Sequence, residues 1–368
     1  MTPSVVAYRR DLHRIPELDR DLPETLAYVR KVLEQLDCEV FSPVTGSLCA
    51  WFDRGREHTV AFRADLDALP VEEKGDAPYR SCHPGKMHAC GHDGHTAMVL
   101  ALGELAAKCE NLPRNVLLIF QPAEETQGGA KGICETGVLE KYRVDRVFGF
   151  HLWPGLPAGT VWTRPGAMMA KNSEINVIIE GKSAHITRSE QGIDALWIGC
   201  EALRRIRDME AAELPAGELG LVKFGRMVSG TVRNAVSSHT ELQGTVRVFS
   251  MDTFHCIVRR CREITEDLEK EYGCKARAEF SEGYLPVVND PALVETVCQA
   301  LGKDAPGMLE KPDMTAEDFS FYQDRVPGMF CFLGVGAAPA LHAAEFDFDD
   351  EAVLPRGVAF FQKLLMIP

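Results

Sequence analysis

The chain has 368 residues, enough for two domains, with 45% hydrophobic and 26% charged residues, the composition of a soluble globular protein. Its 54 acidic against 40 basic residues leave a formal net charge of −14, which repels phosphate backbones and anionic membranes and argues against a nucleic-acid or membrane partner. The 12 cysteines are scattered with no disulfide or zinc-ribbon spacing, and neither a signal-peptide core nor a bilayer-spanning stretch is visible, so a cytoplasmic protein is expected.

Residues 4–36 read as two helices, the first carrying Tyr8 and Leu12, the second Leu26, Val29, Leu33 and Leu36, with Pro16 and Pro23 as punctuation; His13 is expected in the packing there. A strand over 59–63 runs into Asp65 and Asp67. Next comes Met87-His88-Ala89-Cys90-Gly91-His92-Asp93-Gly94-His95-Thr96, which reads as a metal site. Cys90 and His92 are two apart, so an extended backbone would send both side chains to one face, where a single cation could take them. Residues 96–108 are apolar nearly all round and predict a buried helix, whose N-terminus would favour a thiolate at Cys90.

The apolar run 115–120 predicts a strand covered on both faces, ending at Glu124 and Glu125. A helix over 130–139 and a strand over 146–150 follow, the latter delivering His151 at its carboxyl end. In open α/β sheets ligands bind outside the carboxyl ends of the strands, so Asp65, Asp67, Cys90, His92, Glu124, Glu125 and His151 should converge on one crevice. Neighbouring glutamates point to opposite sides of an extended backbone, so one can bind metal while its neighbour handles protons, a division that suits metal-assisted hydrolysis. A nucleophilic Cys90 paired with a histidine is the rival reading, but it leaves the strand-end acids without a purpose.

From 173 the order becomes strand (174–180), helix (193–209), strand (219–226), strand (240–249), helix (253–272) and strand (275–280), that of a ferredoxin-like sandwich inserted in the chain. The first texture returns with a helix over 292–301, a strand over 329–333, His342 in the loop beyond, and a closing helix over 351–365. The expected organisation is a catalytic domain from 1–172 and 283–368, with a central mostly parallel sheet, and an inserted α+β domain at 173–282. Gly181-Lys182-Ser183 is no phosphate loop, because Asn176 stands where a glycine is required.

MHACGHDGHTA, RADLDALPVEE, QPAEETQGGAKGI, FGFHLWPGLPAGTV, GTVRVF and MTAEDFSFY together resemble the metallo-amidohydrolases that include hippurate hydrolase, indole-acetyl-amino-acid hydrolases and N-acetyl-diaminopimelate deacetylase. These belong to the carboxypeptidase G and aminoacylase superfamily, whose catalytic domain is zinc-peptidase-like. The resemblance runs from RRDLHRIPEL to the last helix and implies that Cys90, His92, Glu125, His151 and His342 are metal ligands and that Glu124 is the general base. It further implies that the inserted domain is a lid that also forms a homodimer, with lid residue His185 reaching the neighbouring subunit's metals. Two positions depart from the wider superfamily: Asp65 stands where a histidine is usual, and Ser189-Glu190 where many relatives have a proline and a histidine.

The expected activity is hydrolysis of an N-acyl amino acid, with one or two divalent cations drawn from zinc, manganese, cobalt and nickel. A thiolate can hold two cations where an imidazole nitrogen cannot, which makes Cys90 the candidate bridge. Asp67 is expected to orient a ligand, His185 to stabilise the oxyanion, and Asn234 and Arg247 to bind substrate, Arg247 through a bidentate pair with a carboxylate. The alternatives are a dipeptidase or carboxypeptidase with the same metal-water mechanism, an N-acetyl-diaminopimelate deacetylase specifically, and a metal-dependent binding protein without catalysis.

Overall fold

The strands that end at the strand-end acids lie side by side in one sheet. The computed structural model describes residues 4–214 and 220–368, and contacts divide it into two units. One takes the residues up to Met168 with Val288–Pro312 and Asp318–Pro368; the other takes Met169–Val287 with Asp313–Glu317.

In the first unit an eight-stranded sheet has at its centre Asn115–Gln121, Thr59–Asp65, Val144–Trp153 and Gly328–Gly334, in that spatial order. All three pairings among these four are parallel, so their carboxyl ends share one edge. Every residue of Thr59–Asp65, Asn115–Gln121 and Gly328–Gly334 is buried, as expected where a parallel sheet is covered on both faces. Leu48–Phe52 and Val161–Thr163 join antiparallel. The helix His92–Lys108 packs on three of the parallel strands and against Ser4–His13 and Asp350–Leu365. Its apolar surface runs all round because it is enclosed, with Met98, Leu100 and Leu102 fully buried.

The second unit is a four-stranded antiparallel sheet in the order Lys275–Phe280, Lys171–Glu180, His239–Val248, Gly220–Ser229. Lys171–Glu180 alternates buried and more exposed residues, placing Ile175, Val177 and Ile179 in a core with Ile198, Ala202 and Ile206 of Ala195–Glu213 and Ile257, Cys261 and Leu268 of Met251–Tyr272. Asp194 and Ser250 cap these two helices with side-chain oxygens, and Gly273, at φ 70, ends the second. The chain order is that of the ferredoxin-like sandwich expected.

Several elements differ locally from the sequence expectation. The buried helix begins at His92 rather than 96. The helix expected over 130–139 is broken into Ala130–Glu135 and Val138–Lys141 by Gly137, whose φ of 74 no helix tolerates. His151 lies within its strand, which continues to Trp153. Residue 219, the expected start of a strand, lies outside the described residues, and the strand is seen from Gly220. No helix among the described residues is long and apolar enough to cross a membrane.

Candidate metal centre

Cys90 and His92 do come together, by a different route from the extended segment anticipated. Gly91 takes a left-handed turn, φ 88, and His92 is the first residue of the helix behind it. A Cβ at Gly91 would sit 2.9 Å from Cδ1 of Leu152, so the turn needs glycine for both conformation and space. The Cys90 sulfur lies 3.4 Å from Nε2 of His151, and Cys90, His92 and His151 form a cluster whose potential ligand atoms are within 4.8 Å of one another. Cys90, Glu125 and His342 form a second cluster by the same measure. Cys90 is common to both.

His92 and His151 are each presented by a bond at the other nitrogen. Nδ1 of His92 donates to the carbonyl of Asp67 at 2.8 Å, and Nδ1 of His151 to the carbonyl of Leu152 at 2.7 Å, so both offer Nε2. Nε2 of His92 is buried and makes no hydrogen bond among the described residues. His342 adopts φ 67, its amide is held by the carbonyl of Ala89 at 2.8 Å, and its Nε2 is 3.3 Å from Oε1 of Glu125.

The glutamate pair is held from behind by Asp67, whose two carboxylate oxygens accept the amides of Glu124 and Glu125 at 3.0 Å each. Ala123, just before them, has φ 61, so the chain turns sharply where the strand ends. Glu124 is buried, and its carboxylate clusters with those of Glu125 and the imidazole of His92.

Asp65, placed by sequence near the ligands, serves another purpose. Its Oδ1 accepts from Nδ1 of His95 at 2.6 Å and its Oδ2 from Nη1 of Arg63 at 2.7 Å. Nη2 of Arg63 meets Asp318 at 2.7 Å, and Asp318 also accepts from Gln121 and from the amides of Gly129 and Ala130. Sequence reasoning missed His95, Arg63 and Asp318; the only signal was their place inside quoted motifs, Arg63 at the head of RADLDALPVEE, Asp318 in MTAEDFSFY and His95 in the metal stretch. His13, expected in packing, is buried but also ion-paired, 2.7 Å from Asp93, which Arg9 meets at 3.0 Å.

The field at the centre calls for positive charge. Burial works against the imidazolium of His92, yet Asp65, Glu125 and Asp67 raise it to about 9. Burial disfavours charge on Glu125 too, but His342 and His92 hold it down to about 2. Asp67 is pushed up to about 6 by burial, against His92 and the two amides it accepts, and burial takes His151 down to about 3. The Cys90 thiol is pushed well above its ordinary value, by burial first and then by Glu125 and Glu124. This qualifies the expectation that the helix end favours a thiolate: burial first, and then the nearby acids, outweigh it, and a bound cation is what would draw off the proton. A buried thiol, three imidazole nitrogens and a carboxylate under such a field fit divalent metal.

The three residues expected in the second unit divide. His185 and Asn234 come together, for the backbone of His185 bridges to Ala235 and the amide of Ile186 donates to the carbonyl of Asn234 at 3.1 Å. Both are exposed, and Nδ1 of His185 bonds Thr187 Oγ1 at 2.8 Å. Arg247 is half-buried and pairs across the ladder with Asn172, near one end of the sheet, while His239, beside the His185 turn, pairs with Glu180 at the other. At about 3.4 Å per residue, His239 to Arg247 spans roughly 27 Å.

A hydrolase of Staphylococcus aureus, itself uncharacterised, is 34% identical to this chain over 372 residues, 98% of this chain and 97% of the relative. An N-acetyldiaminopimelate deacetylase of Geobacillus thermodenitrificans is 34% identical over 361 residues, 96% and 95% of the two chains. Among solved structures, the Bacillus subtilis YXEP protein, described as a dinuclear metal binding peptidase from the M20 family, superposes with a TM-score of 0.86 at 30% identity, covering 99% of this chain and 97% of that one. Residues 61–367 match the model of peptidase family M20/M25/M40, and with these relatives they establish that the chain is a hydrolase belonging to that family.

Proposed function

We propose that the protein hydrolyses the amide bond of N-acyl amino acids, releasing a carboxylic acid and a free amino acid, with two divalent cations per chain. The observation that carries this reading is the pair of ligand clusters sharing Cys90, with Glu124 beside them on the backbone that Asp67 holds. We assign one cation to Cys90, His92 and His151 and the other to Cys90, Glu125 and His342; the description of the Bacillus subtilis relative as dinuclear supports the count. Mixed sulfur, nitrogen and oxygen donors suit zinc, manganese, cobalt or nickel.

Cations held there would polarise the acyl carbonyl and make water a better nucleophile. Glu124 takes the proton of the attacking water and returns it to the leaving nitrogen. Arg247 pairs with the substrate carboxylate, and His185 with Asn234 steadies the charge that develops on the acyl oxygen.

The opposite placement of Arg247 and His185 in one sheet supports a homodimer in which His185 and Asn234 serve the metal centre of the neighbouring chain. Unit two has a surface for it. Trp197 is 56% exposed and Val232 59%, with Leu196, Leu203, Met227 and Val228 exposed alongside. Gly220–Ser229 is an edge strand, and Met227 reaches over Gly199 of the helix, so strand and helix share one apolar face. All 12 cysteines are free, which suits a reducing compartment, and we assign the protein to the cytoplasm.

A substrate panel tests the reading: N-acetyl and N-benzoyl amino acids, N-acetyl-diaminopimelate and dipeptides, each with the chain reconstituted with zinc, manganese, cobalt or nickel. Turnover of the N-acyl compounds is expected. The deacetylase named among the relatives makes N-acetyl-diaminopimelate the first substrate to try. Preference for dipeptides would make the protein a dipeptidase, and no turnover with both metals bound would remove the hydrolytic reading of these substrates.

A further inference from the structure

We propose that His95 is a positioning residue: without binding metal, it fixes the His151 side of the centre by gripping the peptide of Leu152. The inference rests on the ligand set proposed above. Asp65, His92 and His95 lie close enough to look like a third metal cluster, yet their hydrogen bonds exclude it. Nε2 of His95 accepts the amide of Leu152 at 2.9 Å, so its lone pair is taken, and Nδ1 must carry the proton it gives to Asp65 at 2.6 Å. Both oxygens of Asp65 are engaged, one by His95 and the other by Arg63.

Leu152 is where this matters. Its amide goes to His95, and its carbonyl takes Nδ1–H of His151 at 2.7 Å, so one residue's backbone is held from both sides. The carbonyl sets the ring orientation and tautomer of His151, and the amide bond to His95 holds that carbonyl in place. Gly328–Gly334 still pairs with His151 and Leu152 on one side, but on the side facing Thr59–Asp65 the sheet gives no such hold. The ladder between Thr59–Asp65 and Val144–Trp153 ends at the pair Arg63 and Gly149, two residues short of Asp65 and His151. Beyond that point the Asp65–His95–Leu152 bridge replaces the ladder. Thr96 adds a second stitch, its hydroxyl donating to the Asp65 carbonyl at 2.8 Å. The bridge has a firm anchor, since Arg63 ties Asp65 to Asp318 and all of these groups are buried.

The consequence is selective. Loosening the bridge should weaken the cation held by Cys90, His92 and His151 and leave the one held by Cys90, Glu125 and His342 in place. The test is cobalt(II) binding to the full chain, read by chelator competition and by the ligand-field and thiolate-to-cobalt absorption bands. His95→Asn keeps a donor for Asp65 but cannot reach Leu152; His95→Gln keeps an acceptor near the position of Nε2. For His95→Asn we expect one of two cobalt ions to bind about 10–100-fold more weakly, with altered absorption, and His95→Gln to recover most of that loss. Unchanged affinities and spectrum in His95→Asn, or equal weakening of both ions, overturn the proposal. Asp65→Asn disturbs the same bridge from its other end and should show the same selective loss; it keeps the idea refutable should the His95→Asn chain not fold. Cys90→Ser and His151→Ala separate the layers. If those two keep both ions at native affinity, the ligand set itself is wrong; if they lose metal and neither bridge variant does, only the role of His95 falls.

Discussion

Asp67 holds His92 with its main chain and the glutamate pair with its side chain: its carbonyl accepts from the imidazole at 2.8 Å and its carboxylate from the amides of Glu124 and Glu125 at 3.0 Å. Asp67→Asn turns one side-chain acceptor into a donor that faces an amide, while the carbonyl that orients His92 survives. We expect kcat to fall by about 10–100-fold with metal content near native. Kinetics and elemental analysis of the same preparation check it, and native kcat would show that the glutamate backbone needs no such support.

Glu124→Gln keeps the size of the side chain and removes its basicity. The amide can neither take the water proton nor return it, so a loss of at least about 100-fold in kcat is expected with both metals retained. A variant that turns over normally would remove Glu124 from the mechanism.

Gly91→Ala tests the turn that joins Cys90 to His92. The residue sits at φ 88, and the new methyl would lie 2.9 Å from Cδ1 of Leu152, whose backbone orients His151. A left-handed alanine costs about 1–2 kcal/mol before any clash is counted. Urea denaturation should show at least that loss, and metal titration a weaker centre; native values in both would mean the turn is not what aligns the ligands.

The strands and acids of the centre were legible because a buried parallel strand is an unbroken apolar run, and polar residues at its end have few other places to go. Asn115–Gln121 leading to the glutamates is the plainest case. Gly91 was visible as a glycine, but not as a left-handed turn, since two-residue spacing fits an extended chain equally well. Gly137 was passed over inside the expected helix, since a glycine within a helical pattern does not by itself show a left-handed φ. The pairing of Asp318 with Arg63 was out of reach because it joins positions 255 apart, and the motifs that contain them do not show that they meet. His95 differs from His92 only in what meets its nitrogens, which the sheet decides.

His13 gives the fold a pH dependence apart from catalysis. Burial lowers its basicity, but Asp93 at 2.7 Å and Glu73 at 3.5 Å raise it from 6.5 to about 9, with Arg9 opposing. A folded value above the unfolded one means the proton stabilises the native state: the contribution is full below pH 6.5 and is lost as pH rises through about 9. The stability difference between the native chain and His13→Asn, measured by urea denaturation at matched metal content, should therefore shrink across that window. A difference independent of pH would mean His13 is neutral throughout and only packs.

The last prediction concerns the proposed sharing of active sites. His185 and Asn234 lie at one end of their sheet and Arg247 toward the other, with roughly 27 Å of strand between His239 and Arg247. An N-acyl amino acid is far shorter, so one substrate cannot touch Arg247 and His185 of the same sheet. If both residues act, they come from different chains. His185→Ala and Glu124→Gln should each be inactive as homodimers. Mixed under conditions that exchange subunits, they form hybrids in which one site joins an intact Glu124 to an intact His185, while the other site has neither. Random exchange of equal amounts makes half the dimers hybrid, each with one working site, so activity should return toward about a quarter of native. Light scattering and exchange of tagged chains must first establish the dimer. With exchange demonstrated, mixtures no more active than the separate variants would place His185 outside the neighbouring chain's chemistry.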